Sequence, residues 1–271
     1  MSRFIGIDFS GGARPWRTSI ARPTVWIAVA EIIGSRPQLI SLMPVQSLPG
    51  DELPFDRLVR FLARRDFEVA AIDAPFSLPL AHMPRSGHAE LLRSVRALPN
   101  GNDRPFPQGA SLVALGEVVA RKLVAKPLRR TEEYWLTKGV NTRSTMWNGP
   151  RGGAPFAAAC LRLLERVELP CWPWTQPQVG TLGEAFPAAQ LRQWGLPHQA
   201  YSKQNAEHVR CSILTGLRER INIRPVDADV LRTNADALDA VISVFGAIAI
   251  SERSVVGYNI AHTDGNIAVA E

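Results

Sequence analysis

The apolar positions of the first seventy-odd residues fall in short unbroken runs closed by polar turns, predicting the order strand, strand, strand, helix, strand. Phe4-Ile5-Gly6-Ile7-Asp8 is one such run and ends in an acid, after which Ser10-Gly11-Gly12 turns the chain. Thr24 to Glu31 (TVWIAVAE) is β-branched and aromatic-rich. Gln38 to Met43 (QLISLM) follows the Gly34-Ser35-Arg36-Pro37 turn as a third strand. Between Leu53 and Arg65 the period lengthens, and apolar residues at 55, 58, 59, 61 and 62 with arginines between them make an amphipathic helix. Val69-Ala70-Ala71-Ile72-Asp73 is a buried strand that again ends in an acid, and Ala74-Pro75 stops it.

From about Leu80 to Trp174 the strand patterns vanish, and Pro, Arg and Trp become frequent. Ala110 to Val124 is the clearest helix there and Ala154 to Val167 a second, separated by loops such as Pro99 to Asp103 and Asn148 to Gly153. This region, about residues 80–175, reads as a helical, loop-rich insertion between the fourth and fifth strands of a single domain spanning 1–271. Strand character returns at Thr181 to Phe186, and Pro187 opens a short helix. Asn205 to Arg220 and Asn234 to Ser251 are amphipathic helices, the second capped by Asn234 with Asp236 in its first turn. The tail from Val255 to Glu271, with its Thr263-Asp264-Gly265-Asn266 turn, predicts a terminal hairpin. The whole pattern is that of an α/β protein.

Composition narrows the setting. With 271 residues, 46% of them hydrophobic, the chain can bury a real core. No stretch reaches the roughly 18 uninterrupted apolar residues of a membrane span, and MSRFIGIDFSGG lacks the layout of a signal peptide. The expected location is therefore the cytoplasm. Cys160, Cys171 and Cys211 have no C-x-x-C spacing and suggest neither a disulfide framework nor a zinc site. The net charge of +6 is carried almost entirely by Arg, whose planar fork matches phosphate, although high genomic GC content produces the same usage.

The acids change the picture most. Asp8 and Asp73 end strands, Glu184 lies in the late strand, and Asp236 and Asp239 share one face of the last long helix. In an open α/β sheet, residues just past the carboxyl ends of the strands converge on one crevice. Asp239 sits between Ala237-Leu238 and Ala240-Val241-Ile242, an acid on a core-facing surface. Burying it without a partner is costly, and a hard divalent cation is the natural partner for carboxylate oxygens. Any one of these acids is better explained as a turn, cap or salt-bridge residue; together they form a pattern.

GIDFSGG, AIDAPFSLP, GEAFPAAQ and NADALDAVISVFGAIA together resemble the uncharacterised prokaryotic family labelled domain of unknown function 429, described as predicted nucleases of ribonuclease H fold. The likeness covers both ends of the chain and thins across roughly residues 80–175. The last helix also resembles that of Holliday-junction resolvases of the same superfamily, where acids three apart precede an alanine. The resemblance implies a ribonuclease H-like mixed sheet flanked by helices. It also implies that Asp8, Asp73, Glu184 and Asp239 are catalytic metal ligands, with Asp236 a further ligand or a supporting acid. Mg²⁺ or Mn²⁺ would then drive phosphodiester hydrolysis of nucleic acid, Asp8 bridging two ions. One departure is that ribonuclease H takes a Glu from its first helix, where this chain offers only Asp56. Resolvases of this fold act as dimers, an analogy that suggests a homodimer without fixing the oligomeric state.

Around the acids, Ser10 and Gly11 are candidates to cradle a phosphate, and Arg143 heads the insertion's candidate phosphate contacts, with Arg93, Arg96, Arg104, Arg121, Arg129, Arg130 and Arg151. For most single arginines, pairing with Glu117, Glu132 or Glu133 is the plainer reading. Trp135, Trp147, Trp172 and Trp174 are expected to pack the insertion onto the core rather than stack on bases. Two alternatives remain. An actin- or sugar-kinase-like phosphotransferase also opens with a strand, an Asp and a Gly/Ser turn, but it needs a second Gly-rich loop where this chain has Asp73-Ala74-Pro75-Phe76-Ser77. A non-catalytic member binding nucleic acid or a protein would carry the same acids idle.

Overall fold

The computed structural model of the chain describes residues 2–120, 125–257 and 262–271. Strands β1 (Arg3–Asp8), β2 (Trp26–Ile33), β3 (Arg36–Pro44), β4 (Val69–Asp73), β5 (Thr181–Ala185) and β6 (Ile267–Ala268) form one sheet in the order β3-β2-β1-β4-β5-β6. The first three pair antiparallel and the rest parallel. This is the mixed sheet of a ribonuclease H-like α/β fold. The central strands are buried on both faces, which is why they read as continuous apolar runs rather than alternating ones.

Nine α-helices flank the sheet among the described residues. Helix α1 (Pro54–Ala63) and α5 (Ala154–Val167) cover the face bearing Ile5, Ile7, Ala70, Ile72 and Leu182. On the other face lies α9 (Ala235–Glu252), against Phe4, Ala28, Val69 and Ala71. Gly6 sets how closely α9 can lie: a β-carbon there would overlap the Ala240 carbonyl oxygen and the Val244 amide. Backbone meets backbone at this crossing, and Asp239 is thereby laid over the end of β1. Gly6→Ala is expected to cost about 3 kcal/mol or more, read as a lower denaturation midpoint. An unchanged midpoint would mean that the contact is slack.

The remaining helices are α2 (His88–Arg96), α3 (Gly109–Val119), α4 (Arg130–Thr137), α6 (Pro187–Gln193), α7 (Glu207–Arg218) and α8 (Pro225–Thr233). Helices α2, α4 and α8 were not legible as periodic segments, each being too short for two full amphipathic repeats. Helix α3 ends at Val119, and the rest of the predicted 110–124 span, Arg121 included, lies outside the described residues apart from Ala120, where the helix has already ended. The region between β4 and β5 is more than a decoration, because α5 supplies a layer of the core itself.

Among the described residues the tail forms no hairpin. Ile267–Ala268 instead adds to the sheet as β6, parallel to β5. The Ile267 amide donates to Thr131 Oγ1 (3.1 Å), and Gln190 brackets Ala270 through Oε1 and Nε2. A Val256 N–H to Val269 C=O bond of 2.8 Å ties the two ends of the tail. Of the remainder, 258–261 lie outside the described residues. No single helix among the described residues is long and apolar enough to cross a membrane.

Candidate metal centre

Asp8 and Asp73 are register partners at the ends of adjacent parallel strands. Both lie on the strand face that carries Gly6 and Ala71, the face turned to α9, because side chains alternate along a strand. Helix α9 enters after a bend of 116° from α8, and Asn234 caps it by accepting the Ala237 amide at 3.0 Å. One carboxylate oxygen from each of Asp8, Asp73 and Asp239 lies within 4.8 Å of the other two. Three elements distant in sequence therefore deliver three acids to one point.

The electrostatics are those of crowded like charges, a group that could hold a metal ion. Among the described residues no hydrogen-bond donor reaches the carboxylate of Asp8 or Asp73. Burial pushes the Asp8 carboxyl well above the usual range, and the neighbouring Asp239, Asp73 and Asp236 push it further. Burial raises Asp73 to about 7, Glu184 adding to the effect and the Arg143 guanidinium opposing it. Asp239 is likewise held well above the usual range by burial and by Asp73, against a hydrogen bond from Tyr201. Asp236, one turn earlier on α9 and half-buried, is raised to about 6 by burial. Like charges packed this closely either share protons or take a cation.

Tyr201 was not legible in the sequence. Its hydroxyl donates to Asp239 Oδ1 at 2.8 Å, fixing that carboxylate and leaving Oδ2 for another partner. The loop that presents it is pinned by the buried Arg210 guanidinium, which donates to the carbonyls of Tyr201 (2.6 Å), Lys203 (3.0 Å) and Arg232 (2.7 Å). Nothing in the spacing of these residues foretells the contact.

Glu184 lies beside the trio but does not enter it. It pairs in register with Ile72, so its side chain leaves the sheet on the face opposite Asp73. There Arg129 grips it through Nη1 at 2.6 Å and Nη2 at 2.5 Å, and the Phe76 amide donates to Oε2 at 2.9 Å. Arg129 is itself buried and also binds Glu132 and Ser77, so it is an internal clamp and not the phosphate contact the sequence suggested. Arg93, Arg96 and Arg104 are taken up by Glu90, by Glu165 with Glu168, and by Asp103.

The trio opens into a cleft of about 600 Å³. Arg143, Ser10 and Asp236 line it, together with the Asn141–Thr142 segment and His198 to Ser202. Gly11 is absent from its lining: a β-carbon at Gly11 would strike the Pro155–Phe156 backbone, so this glycine serves the packing of α5. The Gly12 amide is used by Ser10 Oγ at 3.2 Å. Trp135 and Trp172 are buried, and Trp174 stacks on His88 with ring centroids 3.6 Å apart, so these three pack the interior as expected; Trp147 is 37% exposed. No curated protein and no solved structure matches the chain. The sequence model of the family described as protein of unknown function (DUF429) matches residues 6–259, and the chain belongs to that family.

Proposed function

We propose that the protein is a divalent-metal-dependent nuclease that hydrolyses phosphodiester bonds of nucleic acid at the Asp8–Asp73–Asp239 cluster. The observation that carries this reading is the convergence of three acids, Asp8 buried and Asp73 and Asp239 half-buried, the first two of which accept no hydrogen bond among the described residues. The donor set fits hard cations such as Mg²⁺ or Mn²⁺, being all carboxylate oxygen, with no imidazole or thiolate in the group. When bound, such a cation supplies charge neutralisation and water activation for in-line displacement at phosphorus.

The chain's own groups then have separable tasks. Asp8, Asp73 and Asp239 hold the cation, and Tyr201 keeps Asp239 in one orientation. Arg143 faces Asp73 from the cleft wall and offers a guanidinium to a phosphate oxygen. Asp236, titrating near neutrality, can take up a proton within the same cleft. Glu184 acts indirectly: with Arg129 it fixes the backbone after β4. That arrangement also weighs against a phosphotransferase, since the Phe76 amide, which would have to face a phosphate, is already donated to Glu184.

The test is cleavage of single-stranded, duplex and branched DNA and RNA with Mg²⁺, Mn²⁺ or a chelator. Metal-dependent cleavage that falls to background in both Asp8→Asn and Asp239→Asn is the expected result. Metal binding without cleavage of any of these substrates would instead identify a non-catalytic member of the fold.

A further inference from the structure

The loop between β1 and β2 carries a second groove, of about 410 Å³, lined by Arg14, Pro15, Ile20, Ala21, Arg22 and Thr24. Thr24 also lines the acid cleft, so the two recesses share a wall. Arg14 and Arg22 are exposed, and among the described residues no carboxylate pairs with either. This sets them apart from the insertion arginines Arg93, Arg96 and Arg104, which carboxylates already hold.

The loop is built and not merely extended. Trp16 is buried beneath it, 5.1 Å from the Phe9 ring and 5.0 Å from the Phe55 ring, and its indole N–H donates to the Ser10 carbonyl at 2.9 Å. Gln46 Nε2 donates to the Pro15 and Arg17 carbonyls at 2.7 and 3.2 Å. The backbone carrying Arg14 is thus anchored on both sides of its 3₁₀ turn. Two guanidinia lining one groove together with the apolar Pro15, Ile20 and Ala21 match a chain in which phosphates alternate with sugars and bases.

We infer that this groove is a backbone subsite for single-stranded nucleic acid, receiving the strand that continues from the phosphate at the acid cluster. The inference rests on the proposed nuclease reading and adds where the strand runs. A guanidinium that contacts a phosphate releases a counterion, so its loss flattens the salt dependence of binding by about 0.7 per contact for single strands.

The experiment is fluorescence anisotropy of a labelled oligothymidylate on the full chain across a salt series, with Ca²⁺ in place of Mg²⁺. Wild type is compared with the Arg14→Ala/Arg22→Ala double variant and with Arg64→Ala, which lies beyond the end of α1, before β4 begins. The double variant is expected to bind more weakly at low salt, with a slope reduced by about 1.4, while its thermal stabilisation by Mn²⁺ stays that of wild type. Arg64→Ala should leave the slope unchanged. An unaltered slope in the double variant, or an equal fall in Arg64→Ala, would overturn the subsite alone. Wild type that does not bind the oligonucleotide would overturn the subsite and the nucleic-acid reading together, even where Mn²⁺ still stabilises the fold.

Discussion

Asp8→Asn is expected to make the metal-free protein more stable, by about 1–3 kcal/mol at pH 8, or roughly 2–6 °C in melting temperature. The direction is unusual for a buried residue at the centre of a sheet. It follows because the Asp8 carboxyl accepts no hydrogen bond among the described residues and faces Asp239, Asp73 and Asp236 at close range. Asparagine keeps the shape and removes the repulsion. The sign of the pH dependence is fixed by the same shifts. Each acid binds its proton more tightly folded than unfolded, with Asp236 raised to about 6 and Asp73 to about 7 from an ordinary value near 4. Between about pH 4 and pH 7 the folded state therefore holds the extra protons, and stability falls as pH rises through that window. Below it, wild type and variant should converge, and their difference should grow as pH rises. A melting temperature that drops in the variant at every pH would identify Asp8 as a structural acid.

Removing Arg129 should be the most damaging single change to the charged interior. All five of its guanidinium N–H donors are used, on Glu184, Glu132 and Ser77, and its own amide donates to Glu132 Oε2 at 2.9 Å. Arg129→Met leaves two buried glutamates without their cation, a loss of about 3–5 kcal/mol. Arg129→Lys should recover only part of it, because an ammonium cannot reproduce the fork. The loss has a signature that a packing defect lacks. Burial already holds the Glu132 carboxyl above its usual range with Arg129 opposing, so without Arg129 its neutral form is favoured in the fold and the deficit should shrink as pH falls towards 5. Urea denaturation at pH 8 and pH 5 reads both effects; a deficit under 1 kcal/mol, or one equal at both pH values, would mean that the glutamates are solvated.

The part of the site legible in the sequence is the part that depends on periodicity. Asp8 and Asp73 each close an apolar run, and runs of equal length on paired parallel strands bring their ends together. Asp239 stands out as an acid within an apolar helical face. Glu184 shows where the reading stopped: its strand was legible, but strand-end position does not fix which face a side chain takes. That depends on the register with β4, where Glu184 pairs with Ile72 and not with Asp73. Tyr201, and the reach of Arg129 to Glu184 beyond its near neighbour Glu132, were hidden for a different reason, because those contacts span 38 or more positions of sequence through loops that have no period. The tail was misread because a Gly-containing turn marks a change of direction but not the strand that the chain meets next.

The measurement that tests the central claim most directly is the melting temperature of chelator-treated protein titrated with Mn²⁺, wild type beside Asp8→Asn. The account predicts a concentration-dependent rise in wild type, roughly 5 °C or more once the ion exceeds its dissociation constant about 100-fold, and none in the variant. The rise should steepen with pH as the acids lose their protons. A wild-type curve that does not move at millimolar Mn²⁺, or one that moves equally in Asp8→Asn, would contradict a metal centre at Asp8, Asp73 and Asp239.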